Sequence, residues 1–223
     1  CWAISSTSTL TDKFIIEKNM PGLILNAAIT TQCIVPTGCW GGQYFDACKY
    51  FESNGVPKVE GNCKAITSLC YDDNSCGNMP SCQALHSLCS DNEIFKAKQG
   101  STKNLVIFNS DGTPNTDLTI AHIKTELTKG PVVAGFIVFP DFFVNGIKEG
   151  QEQFTFNSTN NIYIAGAYND ILDKLIPTGA QSQLFSPPIS GTGWGSSNQG
   201  GHAVEIVGWD IGNAGPQYGN IPY

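Results

Sequence analysis

The chain has 223 residues, 41% hydrophobic and 14% charged, enough to bury one generous core or two small ones. Nineteen acids against 12 bases leave a net charge of −7, every base is a lysine, and no basic run interleaved with aromatics marks a phosphate-binding surface, which argues against nucleic acid as a partner. The longest apolar stretch, Val132 to Phe139, is strand-sized and well short of the roughly 18 residues that suggest a membrane span.

Cys1-Trp2-Ala3-Ile4 opens a segment in which small and apolar residues recur at helical spacing to about Lys18, ending at Asn19 and the Pro21-Gly22 breaker. A loop with Pro36-Thr37-Gly38-Cys39-Trp40-Gly41-Gly42 follows, then a second helix from about Gln43 to Ser53, closed by Asn54-Gly55 and Pro57. Residues 56 to 100 show little periodicity and many cysteines, a loop stapled by covalent links more than by apolar burial. Beyond residue 100, Leu105 to Phe108 reads as a strand, Asp117 to Thr128 as a helix, Pro131 to Phe139 as a strand, and His202 to Trp209 as another with His202, Val204 and Ile206 on one face. Helices and crosslinked loops precede strands, which predicts an α+β fold: a helical, disulfide-rich part over 1–100 and a β-rich part over 101–223, with the cleft between them.

Nine cysteines, five of them at Cys63, Cys70, Cys76, Cys82 and Cys89, would be wasted in a reducing compartment. Cys-x₂-Cys pairs are absent and His86, His122 and His202 do not sit at ligand spacing, so no metal is expected; His86 and His122 read as solvated or structural. A disulfide framework is preferred, its connectivity left open, and Asn157-Ser158-Thr159 agrees with secretory passage.

The chemistry gathers on two residues. Cys1 stands at the first turn of a helix, where unpaired N–H groups and the positive end of the macrodipole favour thiolate. A base is needed, and His202 in Gly200-Gly201-His202-Ala203-Val204-Glu205 is the suggestive histidine. Cys1 could instead be the N-terminal nucleophile of a self-processed amidohydrolase, but that nucleophile opens a strand, and the Gly-Gly-His motif would then be idle.

These residues resemble the papain family of cysteine peptidases, in its cathepsin B-like branch. The resemblance is carried in order by Cys1-Trp2-Ala3, Gly38-Cys39-Trp40-Gly41-Gly42, Lys129-Gly130-Pro131-Val132, Asp141-Phe142 and Gly200-Gly201-His202-Ala203. It implies a two-lobe fold with the active site in the cleft, Cys1 as nucleophile and His202 as its base, Gly41 and Gly42 as backbone that hydrogen-bonds an extended substrate, and Tyr44, Gly135 and Gly201 as walls of a roomy apolar specificity pocket. It implies that Cys39 pairs with a cysteine upstream of the nucleophile, that Cys33 links into the cluster and that Cys70–Cys76 closes a short loop, while helix-borne Cys48 has no counterpart and one thiol besides Cys1 should be free.

No cofactor is implied. The partners are peptide or protein substrates, a propeptide or cystatin-like inhibitors, and the implied protein is a lysosomal, vacuolar or secreted monomer. The short, acidic Cys70 to Cys76 segment lacks the histidines of the branch's occluding loop, which favours endopeptidase action. An insertion of roughly 30 residues, at about 145–198, has no assigned role. The family's oxyanion glutamine and histidine-orienting asparagine fall outside the sequence, so the chain by itself is expected to be weak or inactive. Trp40 in place of the family's asparagine, together with the insertion, supports an alternative: a papain-like pseudoenzyme or disulfide-rich secreted binding module.

Overall fold

A computed structural model describes residues 1–34, 41–59, 89–137, 201–213 and 220–222. The described part is α+β. In chain order it comprises helices α1 (Trp2–Lys18), α2 (Ala27–Ile34) and α3 (Tyr44–Ser53), strand β1 (Val56–Pro57), a 3₁₀ turn (Asp91–Glu93), strand β2 (Ile94–Phe95), helix α4 (Thr116–Leu127), and strands β3 (Val132–Ile137), β4 (Gly201–Ile206), β5 (Ile211–Asn213) and β6 (Asn220–Pro222). Two compact units are formed. The first takes the described residues of Cys1–Leu105 with Thr125–Gly135 and Ala203–Val207; the second takes those of Val106–Lys124, Phe136–His202 and Gly208–Tyr223.

α1 is an unusual core helix because its buried residues are mostly hydroxylated: Ser5, Ser6, Thr7, Thr9 and Thr11 are buried beside Trp2, Ala3 and Leu10. Such residues are weak helix formers, since their hydroxyls compete for the backbone. Here several hydroxyls are spent inside the fold. Ser5 Oγ donates to the Cys1 carbonyl at 3.0 Å, Thr11 Oγ1 donates to the Thr7 carbonyl at 2.8 Å, and Thr7 meets Thr30 of α2 at 2.8 Å. Their small volume lets α2 and α3 pack closely against α1. The helix ends at Asn19, whose left-handed conformation (φ 51°) returns its N–H to the Ile15 carbonyl.

α2 was not expected from the sequence. Its eight residues include two threonines and two isoleucines, and it starts where the Asn26 side chain accepts the Ala28 N–H at 3.0 Å. Ile29 and Thr30 are fully buried on it, so tertiary burial supports what propensity leaves marginal.

The core of the first unit joins Trp2, Ala3 and Leu10 of α1 to Leu25, Ala47, Phe51, Val56 and Ala203. β1 and β2 pair antiparallel, Val56 opposite Phe95 and Pro57 opposite Ile94. That ladder is held at its start by a capping box between Ser90 and Glu93 and by the Lys58–Glu93 ion pair at 3.8 Å. Phe95 meets Phe14 of α1 edge-to-face with centroids 5.2 Å apart. Buried Glu52 anchors the following loop: its carboxylate accepts the Thr102 N–H at 2.6 Å and lies 3.5 Å from Gln99 Nε2.

The stretch Leu105 to Phe108 is not a strand. Among the described residues its β-contact is an isolated bridge from Phe108 to Pro114, and the backbone groups of Ile107 are taken locally. The Ile107 N–H is donated to Thr119 Oγ1 of α4 at 2.9 Å, and its carbonyl accepts the Asn115 N–H at 2.7 Å. β3 and β4 are hydrogen-bonded neighbours, and β5 pairs with β6 antiparallel. β4 stops at Ile206, short of Trp209, whose ring lies 3.8 Å under the Lys124 ammonium. Among the described residues no helix is long and apolar enough to cross a membrane, and no group of three or more His, Cys, Asp or Glu is placed to hold a metal.

Candidate active site

Cys1 occupies the N-cap of the 17-residue α1, exposed, and carries a free thiol. Its carbonyl already accepts the Ser5 N–H at 2.9 Å, so the helix begins in register directly at the thiol-bearing residue. The N–H groups of a first helical turn lack intrahelical acceptors and present partial positive charge, which favours a thiolate there over the thiol.

Trp2, one residue on, turns inward to 4% exposure and anchors the start of the helix. Gly42 lies flat against its indole: a Cβ at position 42 would meet Cδ2 and Cζ2 at 2.7 Å. Gly41, exposed, has φ 129°, a backbone conformation that favours glycine. α3 starts immediately afterwards, and its first residue, Tyr44, covers Gly135 of β3. A Cβ at Gly135 would come within 2.8 Å of Tyr44 Cε1 and 3.4 Å of its hydroxyl. Burial pushes the Tyr44 phenol above its ordinary range, with a further push from Cys48.

Gly201 and His202 open β4 in the second unit. His202 packs edge-to-face on Phe136, centroids 5.6 Å apart and planes at 80°. Burial holds its imidazole below the usual histidine range. Ala203, which follows it in the strand, is buried in the same core as Trp2 and Ala3.

The structure thus brings Trp2 to Gly42 and Tyr44 to Gly135. Cys1 and His202 fall in different units. Of the cysteines expected to be crosslinked, Cys33 and Cys89 are disulfide-bonded; Cys39, Cys63, Cys70, Cys76 and Cys82 lie outside the described residues, as do the Asn157 sequon and the 145–198 segment. Cys48 on α3 is a free thiol, its pKa pushed up to about 11 by burial and by the neighbouring Glu52 charge. Trp2 was read as part of the Cys1-Trp2-Ala3 motif, but its supporting role against Gly42 was not. It stands out only as the one large aromatic in the first turns of a hydroxyl-rich helix.

Against known proteins, the family model of papain family cysteine proteases matches residues 1–171. The chain belongs to the papain family. Within that family it is 25% identical over its whole length to a probable cysteine proteinase of Invertebrate iridescent virus 6, covering 44% of that protein. It is 26% identical to cathepsin B of Dictyostelium discoideum over 64% of the chain and 44% of the relative. Among solved structures, a procathepsin B of Trypanosoma congolense matches 95% of the chain and 53% of its own length at 19% identity and a TM-score of 0.46. The chain spans less than half the length of the curated relatives it matches.

Proposed function

We propose that this papain-family protein is a cysteine peptidase in which Cys1 attacks the carbonyl of a peptide bond and His202 manages the protons. The observation that carries the reading is the free, exposed Cys1 thiol at the N-cap of a helix whose next residue is locked in the core. In the first half-reaction the thiolate adds to the carbonyl carbon, the oxygen takes the charge, and the imidazolium gives its proton to the departing amine as the C–N bond breaks. In the second, neutral His202 takes a proton from water, which displaces the Cys1 sulfur and releases the acid. Burial of the imidazole, which favours its neutral form, suits that second step.

Gly41 and Gly42 offer backbone that an extended substrate can approach closely, with Tyr44, Gly135 and Gly201 beside the side chain it presents. Substrates are peptides or proteins cut internally, as the short acidic Cys70 to Cys76 segment suggests. A propeptide and cystatin-like inhibitors would use the same surface. The half-cystines Cys33 and Cys89 support an oxidising setting, lysosomal, vacuolar or secreted.

The test is the pH profile of Cys1 alkylation by iodoacetamide, followed by peptide mapping. A thiolate held by His202 reacts on a plateau that extends below pH 6, and His202→Ala abolishes the plateau. An ordinary thiol slows about tenfold per pH unit below its pKa of about 8.5. Finding that slope in the unaltered protein would sink the peptidase reading and favour an inherited fold used for recognition.

A further inference from the structure

α3 ends at Ser53, and the next two residues are Asn54 and Gly55. In a flexible chain this dipeptide modifies itself. The Gly55 nitrogen, once base has taken its proton, attacks the Asn54 amide carbon: the N–Cγ bond forms, the Cγ–Nδ2 bond breaks, and ammonia leaves with a proton. Water then opens the five-membered imide to aspartate or isoaspartate. Glycine hinders the attack least because it has no Cβ. Asn54 is exposed, and its amide oxygen accepts from the Ser53 hydroxyl at 2.8 Å, a contact that draws electrons from the carbon to be attacked.

The fold denies the remaining requirements. Ring closure needs the Gly55 nitrogen nearly coplanar with Cβ, Cα and the carbonyl carbon of Asn54, whereas the αR ψ of −36° holds the nitrogen well out of that plane. Gly55 is buried and donates its N–H to the Tyr50 carbonyl at 3.4 Å, beside the Asn54 N–H at 2.8 Å on the same oxygen. Space is lacking as well. A Cβ at Gly55, whose φ is 77°, would meet Lys96 Cγ at 2.6 Å and both Ile94 Cγ2 and the Phe95 carbonyl oxygen at 2.8 Å.

Helix ends ordinarily fray at little cost. This one is clamped by β2 and the residues that follow it. Lys96 Nζ donates to the Ser53 carbonyl at 3.1 Å and the Ala97 N–H to the Phe51 carbonyl at 3.0 Å. Fully buried Val56, next after the glycine, pairs with Phe95.

We propose that Asn54-Gly55 is a self-modification site that the β2 clamp holds shut, so that deamidation there records openings of the corner between α3 and β1. The record is permanent. A carboxylate at position 54 adds charge at the negative end of the α3 dipole, two residues from Glu52. Isoaspartate puts an extra main-chain carbon where Gly55 is already in close contact. The site stands whether or not the peptidase reading does.

Peptide mapping by mass spectrometry tests this on the whole chain, its disulfides intact, incubated at pH 8 in buffer and in concentrated urea. Asn54 is expected to convert at least about tenfold more slowly in buffer. Lys96→Ala removes an exposed side chain and one bond of the clamp. It should speed conversion in buffer about two- to tenfold, the worth of one such hydrogen bond, and leave the rate in urea unchanged. Converted protein, separated by its added charge, should unfold at a lower urea concentration than unconverted protein. Equal rates in buffer and urea would overturn the proposal, as would no conversion in urea or a Lys96→Ala rate in buffer equal to that of the parent. Converted protein as stable as the parent would overturn it too, since the corner would then accept the modification.

Discussion

Gly42 lies against the indole of Trp2 so closely that a methyl group could not be added without moving the ring. The residue beside the proposed nucleophile and a proposed substrate-binding glycine are thereby packed together, although α2 lies between them in the chain. Gly42→Ala is expected to displace Trp2, destabilise the protein by about 1–3 kcal/mol as overpacked cores do, and slow Cys1 alkylation with it. Urea denaturation and labelling on one preparation check both effects, and a variant as stable and as reactive as the parent would show that the indole does not position Cys1.

Tyr44 over Gly135 makes a second such contact. If this patch receives a substrate side chain, Gly135→Ala pushes the phenol aside and reshapes the pocket. Its kcat/KM should fall at least about tenfold for substrates with a bulky apolar side chain there, and less for small ones, since losing the fit of a methylene or two is worth about 1–3 kcal/mol. Comparing the two substrate classes separates reshaping from general damage, which would lower both alike.

Glu52 gives an acid limit. The Thr102 side chain and N–H hold its carboxyl down at about 2, against an ordinary 4.5. The folded protein therefore releases this proton more readily than the unfolded chain. The resulting stabilisation is complete above about pH 5 and is lost as pH falls from about 4 towards 2. Glu52→Gln should be less stable than the parent at pH 6 and equal to it near pH 2, by thermal melting at both.

Cys48 supplies an internal control for thiol chemistry. Burial and the Glu52 charge push it up to about 11, so it should resist a disulfide reagent at pH 8 while Cys1 reacts, and become available only with unfolding. A Cys48 that reacts at the rate of a free thiol in the folded protein would contradict its placement on α3.

Much of this was legible in the residues. α1 and α3 were expected within a residue or two, because Pro21-Gly22 and Asn54-Gly55 punctuate them and glycine or asparagine chemistry acts locally. The order of the Cys1-Trp2-Ala3, Gly41-Gly42 and Gly201-His202-Ala203 motifs pointed to the papain family for the same reason: each is a short run read in place. α2 was not legible, since a Thr- and Ile-rich octapeptide has no strong helical preference until Ile29 and Thr30 are buried. Leu105 to Phe108 misled because β-branched and aromatic composition says where a strand is possible. Thr119 and Asn115 decided otherwise by taking the hydrogen bonds of Ile107.

By itself the sequence pointed to the family, the α+β class, a cysteine at a helix start and a histidine in a glycine-flanked strand, all properties written in neighbouring residues. Only the tertiary structure decided that Trp2 rests on Gly42, that Tyr44 covers Gly135 and that Cys48 is half-buried beside Glu52. Those relations join residues distant in the chain, and their energies come from exclusion of water and from charges brought together by folding, which no local pattern of side chains records.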